Sequence, residues 1–186
     1  MVYFGCIGVA FMLLEVTLLA KYTLLLSQPV YSAAVVLSTV LVSAGLGSLL
    51  ARRRRATHPA FLWVALGAIC LWVGLHAVAA DRLFEYAFAW TLWQRVLLAV
   101  FLLGALSFFL GWPFPAGLHT IAGRFPLLLP WAWGINGCAS VVGAVLAKGL
   151  AVSLGFRWVM ICACALYGIA VAAFYLFLQS RPRLSS

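Results

Sequence analysis

The chain is predicted to be all-α, an integral membrane bundle of about six transmembrane helices. Two observations carry that prediction. Of the 186 residues, 67% are hydrophobic and only 8% are charged, giving a mean hydropathy of +1.15. A soluble domain of this length has no interior large enough to hide so much apolar surface. The second observation is spacing: the apolar residues fall into six runs, each close to the roughly 20 residues needed to cross the hydrocarbon of a bilayer. These runs cover approximately 3–25, 30–50, 60–80, 92–111, 131–154 and 158–178. They are apolar on every face, which excludes the alternating pattern of a membrane β-barrel. The whole chain therefore reads as one transmembrane domain.

The first run begins directly after Met1, with neither a basic leader nor a small-residue cleavage site. It reads as a span rather than a signal peptide, and its abrupt start resembles an internal segment of a longer polypeptide. Within it Gly5, Gly8, Met12 and Glu15 share one helical stripe. The second run carries a comparable stripe of Ser32, Thr39, Ser43 and Gly47. Lipid supplies little hydrophobic drive for helices to associate, so close approach over small residues is what such stripes provide.

Between the second and third runs stands the block Arg52, Arg53, Arg54 and Arg55, four of the twelve basic residues in the chain. Basic residues concentrate in short cytoplasmic loops, so the block is first an orientation signal. It puts Arg52 to Arg55, Arg124, Arg181 and Arg183 inside, against Lys21, Arg82, Arg95 and Arg157 outside: seven against four. Both termini are then cytoplasmic, and the expected location is a bacterial inner (cytoplasmic) membrane. The same block suits anionic lipid headgroups, at roughly 1 kcal/mol per charge. Nucleic-acid binding is not expected despite the formal net charge of +9, because no basic stripe with interleaved aromatics continues into a soluble surface.

The third run holds His76, and the fourth ends in Trp112, Pro113 and Pro115. Proline lacks an amide hydrogen and restricts the residue before it, so these end the fourth helix, while Pro126 and Pro130 prepare the fifth. Between them Leu118, Ile121, Ala122 and Phe125 fit one face of a short interfacial helix. The fifth run carries the stripe Asn136, Ser140, Gly143, Ala147 and Ala151, and a lone cation at Lys148. Tryptophans gather at run ends, Trp112, Trp131 and Trp133 on the inner side and Trp90, Trp93 and Trp158 on the outer, as in an interfacial aromatic belt.

Glu15, His76 and Lys148 stand where apolar residues would be cheaper, since a lone charge at the bilayer centre costs on the order of 3 kcal/mol. Glu15 and Lys148, of opposite sign in outward-running spans, are expected to pair as a clasp between the first and fifth spans. His76 and Asn136 are further candidates for polar contact. One histidine well inside the membrane does not provide two axial haem ligands. The cysteines, Cys6, Cys70, Cys138, Cys162 and Cys164, all fall inside runs and read as small packing residues, without disulfide or zinc spacing. No cofactor is expected.

Several segments also carry a resemblance. Tyr3 to Leu24, then Gln28-Pro-Val-Tyr31, Ser43-Ala-Gly-Leu-Gly-Ser48, Gly111-Trp-Pro-Phe-Pro-Ala-Gly117 and Pro130 to Ser140 are similar to the membrane region of bacterial spermidine-synthase-like proteins. The likeness runs from about residue 3 to residue 156. In that family the membrane segment typically follows a Rossmann-like domain related to polyamine aminopropyltransferases, and no such domain lies in this sequence. The resemblance therefore implies a non-catalytic membrane module, an anchor or subunit acting with a soluble aminopropyltransferase-like domain or with other membrane subunits. The alternative is half of a transporter or channel for a small cation or polyamine, with Glu15 and Lys148 lining the path.

Overall fold

The computed structural model describes residues 1–53, 59–123 and 125–179. Among them there are seven α-helices, one short 3-10 turn at Pro126–Leu128 and no strand: α1 Val2–Leu26, α2 Pro29–Arg53, α3 Pro59–Ala87, α4 Leu92–Leu110, α5 Pro113–Ala122, α6 Leu129–Leu154 and α7 Phe156–Gln179. Six segments are long and apolar enough to cross a membrane, with α4 and α5 together forming the fourth. At a rise of about 1.5 Å per residue, the 25 residues of α1 extend about 37 Å, more than a hydrocarbon core.

Helix α1 is the axis of the bundle. It packs on α6 and α7, and to a lesser extent on α2, α4 and α5, and buried side chains recur along its full length from Tyr3 to Leu26. The contacts fix directions. Asn136 bonds the Phe4 carbonyl and Ser140 the Gly8 carbonyl, so α1 and α6 run parallel. Arg95, at the start of α4, reaches the Leu25 carbonyl at the end of α1, while Tyr3 bonds the Pro113 carbonyl beyond the far end of α4. Helices α1 and α4 are thus antiparallel. Trp72 bonds the Leu102 carbonyl and Phe61 stacks on Trp112, making α3 antiparallel to α4. Spans therefore alternate in direction along the chain, as successive membrane crossings must. Met1 and Phe177 line one apolar groove, which places the start of α1 and the end of α7 at the same end of the bundle.

Small residues set how closely these helices approach. A Cβ at Gly8 would sit 2.6 Å from the Asn136 carbonyl oxygen, so α6 lies against bare α1 backbone there. On the other side of the bundle, a Cβ at Gly111 would run into the backbone of Ala44, and α2 rests on α4 as closely as α1 on α6.

Some details differ from the sequence expectation. The third helix runs on to Ala87 rather than ending near residue 80, because Asp81, Arg82 and Glu85 are tolerated on turns beyond the apolar stretch. Termination comes at a turn through Phe88 to Trp90, after which the Gln94 side chain accepts the Thr91 amide at 2.9 Å, a favourable start for α4. The helix expected at the interface is α5, and it is packed inward: Ala116, Gly117, Thr120 and Ile121 are buried. Pro113 ends nothing for long; it occupies the first turn of α5, where a missing amide hydrogen costs least. The fifth span is continuous through Gly134 and Gly137.

Candidate functional site

The side-chain hydrogen bonds between helices fall into two groups, one near each end of α1. In the first, α6 lays Asn136 and Ser140 one turn apart on the face toward α1. The Asn136 amide donates to the Phe4 carbonyl at 3.0 Å. The Ser140 hydroxyl donates to its own helix at the Asn136 carbonyl, 2.8 Å away, and lies 3.4 Å from the Gly8 carbonyl. Val9 and Met12 then close over Gly143. The glycine at position 8 makes this possible, since only bare backbone lets an amide side chain reach the carbonyls of a neighbouring helix. Asn136→Leu is expected to lower stability by about 1 kcal/mol, the usual worth of an interhelical hydrogen bond in a membrane; reversible unfolding in mixed detergent micelles measures it.

The second group lies at the other end of α1. Lys21 bonds Asp81 at 2.9 Å, with the lysine side chain buried and the carboxylate 73% exposed. Next to it the buried pair Tyr22 and His76 meet at 2.9 Å through the phenol oxygen and Nε2, while Nδ1 lies 2.9 Å from the Trp72 carbonyl. A carbonyl only accepts, which assigns a proton to Nδ1; in the neutral ring Nε2 then accepts from the Tyr22 hydroxyl. Trp72 in turn donates to the Leu102 carbonyl at 2.8 Å. The chain of bonds joins α1, α3 and α4, and beside it a cavity of about 150 Å³ is lined by Trp72, His76, Leu83 and Leu102. Arg95 closes this end by donating to the carbonyls of Leu25, Phe88 and Trp90.

Between α2 and α6, which do not pack on one another, the bundle is open. A cleft of about 330 Å³ lies there, floored by Gly8 and Phe11 and walled by Ala44, Ser48, Asn136 and Ser140. Glu15 stands one turn beyond Phe11 on the same face of α1, and is half-buried.

The expected ion pair between Glu15 and Lys148 is not formed within the chain. Among the described residues the ion pair present is Lys21 with Asp81. The reason is helical register. The α6 face against α1 is Asn136, Ser140, Gly143 and Ala147, and Lys148 is one position past it, turned about 100° away. It stands instead on an exposed ridge with Val141, Val145 and Val152, which are 68%, 70% and 90% exposed. The clasp between the first and fifth spans exists, but Asn136 and Ser140 make it.

His76 bonds Tyr22 and the Trp72 carbonyl, and Asn136 the Phe4 carbonyl. Trp131 and Trp133 are exposed, at 67% and 61%, but Trp112 is only 8% exposed. It stacks on Phe61 at 4.1 Å and touches Phe108 and Phe109, so it belongs to the core and not to a lipid or partner surface. The turn after α4 folds the chain back inward and takes the indole with it. Arg54 and Arg55, and the side chains of Arg52 and Arg53, lie outside the described residues. The five cysteines are free, and among the described residues no three His, Cys, Asp or Glu side chains converge on one point.

Sequence reasoning missed two contacts. Lys21 reads from the sequence only as an outer charge, and Asp81, of opposite sign beside the equally outer Arg82, was the signal for the pair. Tyr22 carried no signal, since tyrosines are ordinary residues near helix ends. Comparison with known protein families, curated proteins and solved structures finds no match for this chain.

Proposed function

We propose that this chain is a non-catalytic, multi-pass membrane module that works by association: an anchor or subunit of a larger assembly, in the manner of the membrane half of spermidine-synthase-like proteins. One observation carries the reading. The hydrogen bonds formed between helices hold the bundle together, Asn136 and Ser140 on α1 backbone, Tyr22 with His76 and Trp72 with the Leu102 carbonyl, whereas α6, the least buried of the six spans, presents an uncovered ridge that includes a charge. Groups reserved for contact outside the chain are on that face rather than in a sealed pocket. The arginine block and the alternating directions support both termini on the cytoplasmic face of a bacterial inner membrane, with Arg52 to Arg55 against anionic headgroups.

Purification of the tagged chain from its native membrane in mild detergent tests this. A partner retained in fixed ratio, whether a membrane subunit, an aminopropyltransferase-like protein or a second copy of the chain, is the expected result. A chain that emerges monomeric and alone at every detergent concentration would contradict it. The purified chain is further expected not to bind S-adenosylmethionine or its decarboxylated form, since such cofactors sit at the ends of a parallel sheet and the described residues contain no strand. Saturable micromolar binding by calorimetry would overturn that expectation. The cleft between α2 and α6, with Glu15 one turn above it, favours a second reading as part of a cation pathway. Uptake of a labelled polyamine into vesicles, lost in Glu15→Gln, would establish it.

A further inference from the structure

Glu15 and Lys148 are each left without a hydrogen-bond or charge partner among the described residues, though both sit well inside apolar spans. Their heights match. Because α1 and α6 run parallel, with Phe4 beside Asn136, Gly8 beside Ser140 and Met12 beside Gly143, Glu15 is level with Ala147. Lys148 is then offset along the axis by only about one residue's rise of 1.5 Å. Their flank matches too. Glu15 follows Phe11 along the floor of the cleft between α2 and α6. On α6, Ser140, Ala144 and Lys148 succeed one another at four-residue spacing, each step carrying the side chain about 40° further outward from the same cleft. One side of the bundle thus presents a carboxylate in a recess and an ammonium on the adjoining ridge, at one depth.

We propose that this side is a self-association surface: two copies pack about a twofold axis parallel to the helices, Glu15 of each meeting Lys148 of the partner subunit. A twofold along that axis leaves heights unchanged, so the two charges meet level. The surface is self-complementary, as such a symmetry requires, because each copy offers one charge of each sign. The remaining ridge is built for close approach: Gly134, Gly137, Val141, Val145 and Gly149 are exposed and small or β-branched, the residue types that let membrane helices draw together. Each ion removed from water by the apolar span is thereby paired rather than left alone. The inference rests on the association reading above and names its partner.

Single-molecule photobleaching of the full labelled chain in liposomes, over a range of protein-to-lipid ratios, tests it. The wild type is expected to show a monomer–dimer equilibrium. Glu15→Lys and Lys148→Glu, each alone, set like charges face to face at both contacts and are expected to weaken dimerisation by about tenfold or more, two polar contacts being lost at once. An equal mixture of the two variants sets opposite charges at both contacts again and is expected to recover dimers of mixed composition. An ion pair inside one chain could not produce that recovery, since each variant is repulsive within itself. Should the charge reversals fail to fold, Glu15→Gln and Lys148→Met, which keep side-chain volume, are each expected to weaken the dimer in the same assay. A wild type that stays monomeric at every ratio, or neutral variants that dimerise as well as wild type, would overturn the proposal. If that monomeric chain still retained another protein from native membrane, the association reading would stand and this inference alone would fall.

Discussion

Replacing Gly8 with valine is expected to lower the stability of the bundle by about 3 kcal/mol, at the upper end of what overpacking usually costs. The Cβ alone would come 2.6 Å from the Asn136 carbonyl oxygen and 2.9 Å from its Nδ2, neither of which is the free end of a flexible side chain. The carbonyl is helix backbone, and the amide is held by its bond to Phe4. Relief therefore requires α6 to move away from α1, which breaks the bonds of Asn136 and Ser140 and opens the contact of Val9 and Met12 on Gly143. Gly8→Ala is expected to do most of the damage, because the clash begins at Cβ. Unfolding of both variants in mixed micelles, followed by far-UV circular dichroism, measures the loss. An alanine variant as stable as wild type would mean that α1 and α6 do not cross where Gly8 meets Asn136.

The second large effect is expected at Tyr22. Its side chain is fully buried and ties α1 to α3, bonded to His76 and packed edge-on against Phe84 at 5.2 Å. Tyr22→Ala removes the ring, leaves a cavity between α1 and α3, and strands His76 Nε2 without its donor. Large aromatic-to-alanine changes in a packed core cost about 3–5 kcal/mol. Tyr22→Phe keeps the ring and removes only the hydroxyl, so it is expected to cost about 1 kcal/mol. The difference between the two variants separates packing from hydrogen bonding. Equal losses in both would show that the bond to His76 contributes more than the packing of the ring.

The spans were legible in the sequence because apolar runs of the right length admit few other structures. The stripes were legible for a related reason: small residues at helical spacing have little to do except let helices meet, and Gly8, Asn136, Ser140 and Gly143 do meet. What the stripes did not give was rotation to within one residue. Lys148 adjoins Ala147, a stripe residue, yet that single step of about 100° takes it from the α1 interface to the outer ridge. Relative height along the bundle follows from counting residues for Glu15 and Lys148, and azimuth does not. The error at Trp112 is of another kind. A tryptophan at the end of an apolar run resembles a belt residue, and only the turn into α5, a tertiary feature, carries it onto Phe61. The extra turns of α3 were hidden by their charges, which mark the end of the hydrocarbon but not the end of the helix.

The bundle rests on six alternating crossings with α1 at the centre, and side-specific labelling of single cysteines tests that arrangement directly. In a chain whose native cysteines are replaced, Tyr86→Cys marks the end of α3, and Gly123→Cys marks the turn after α5. Both positions are exposed, and they lie at opposite ends of the bundle. With a membrane-impermeant maleimide applied to intact cells, Tyr86→Cys is expected to label and Gly123→Cys to stay protected until the membrane is opened. Labelling of both positions from the same side would contradict the six-span arrangement.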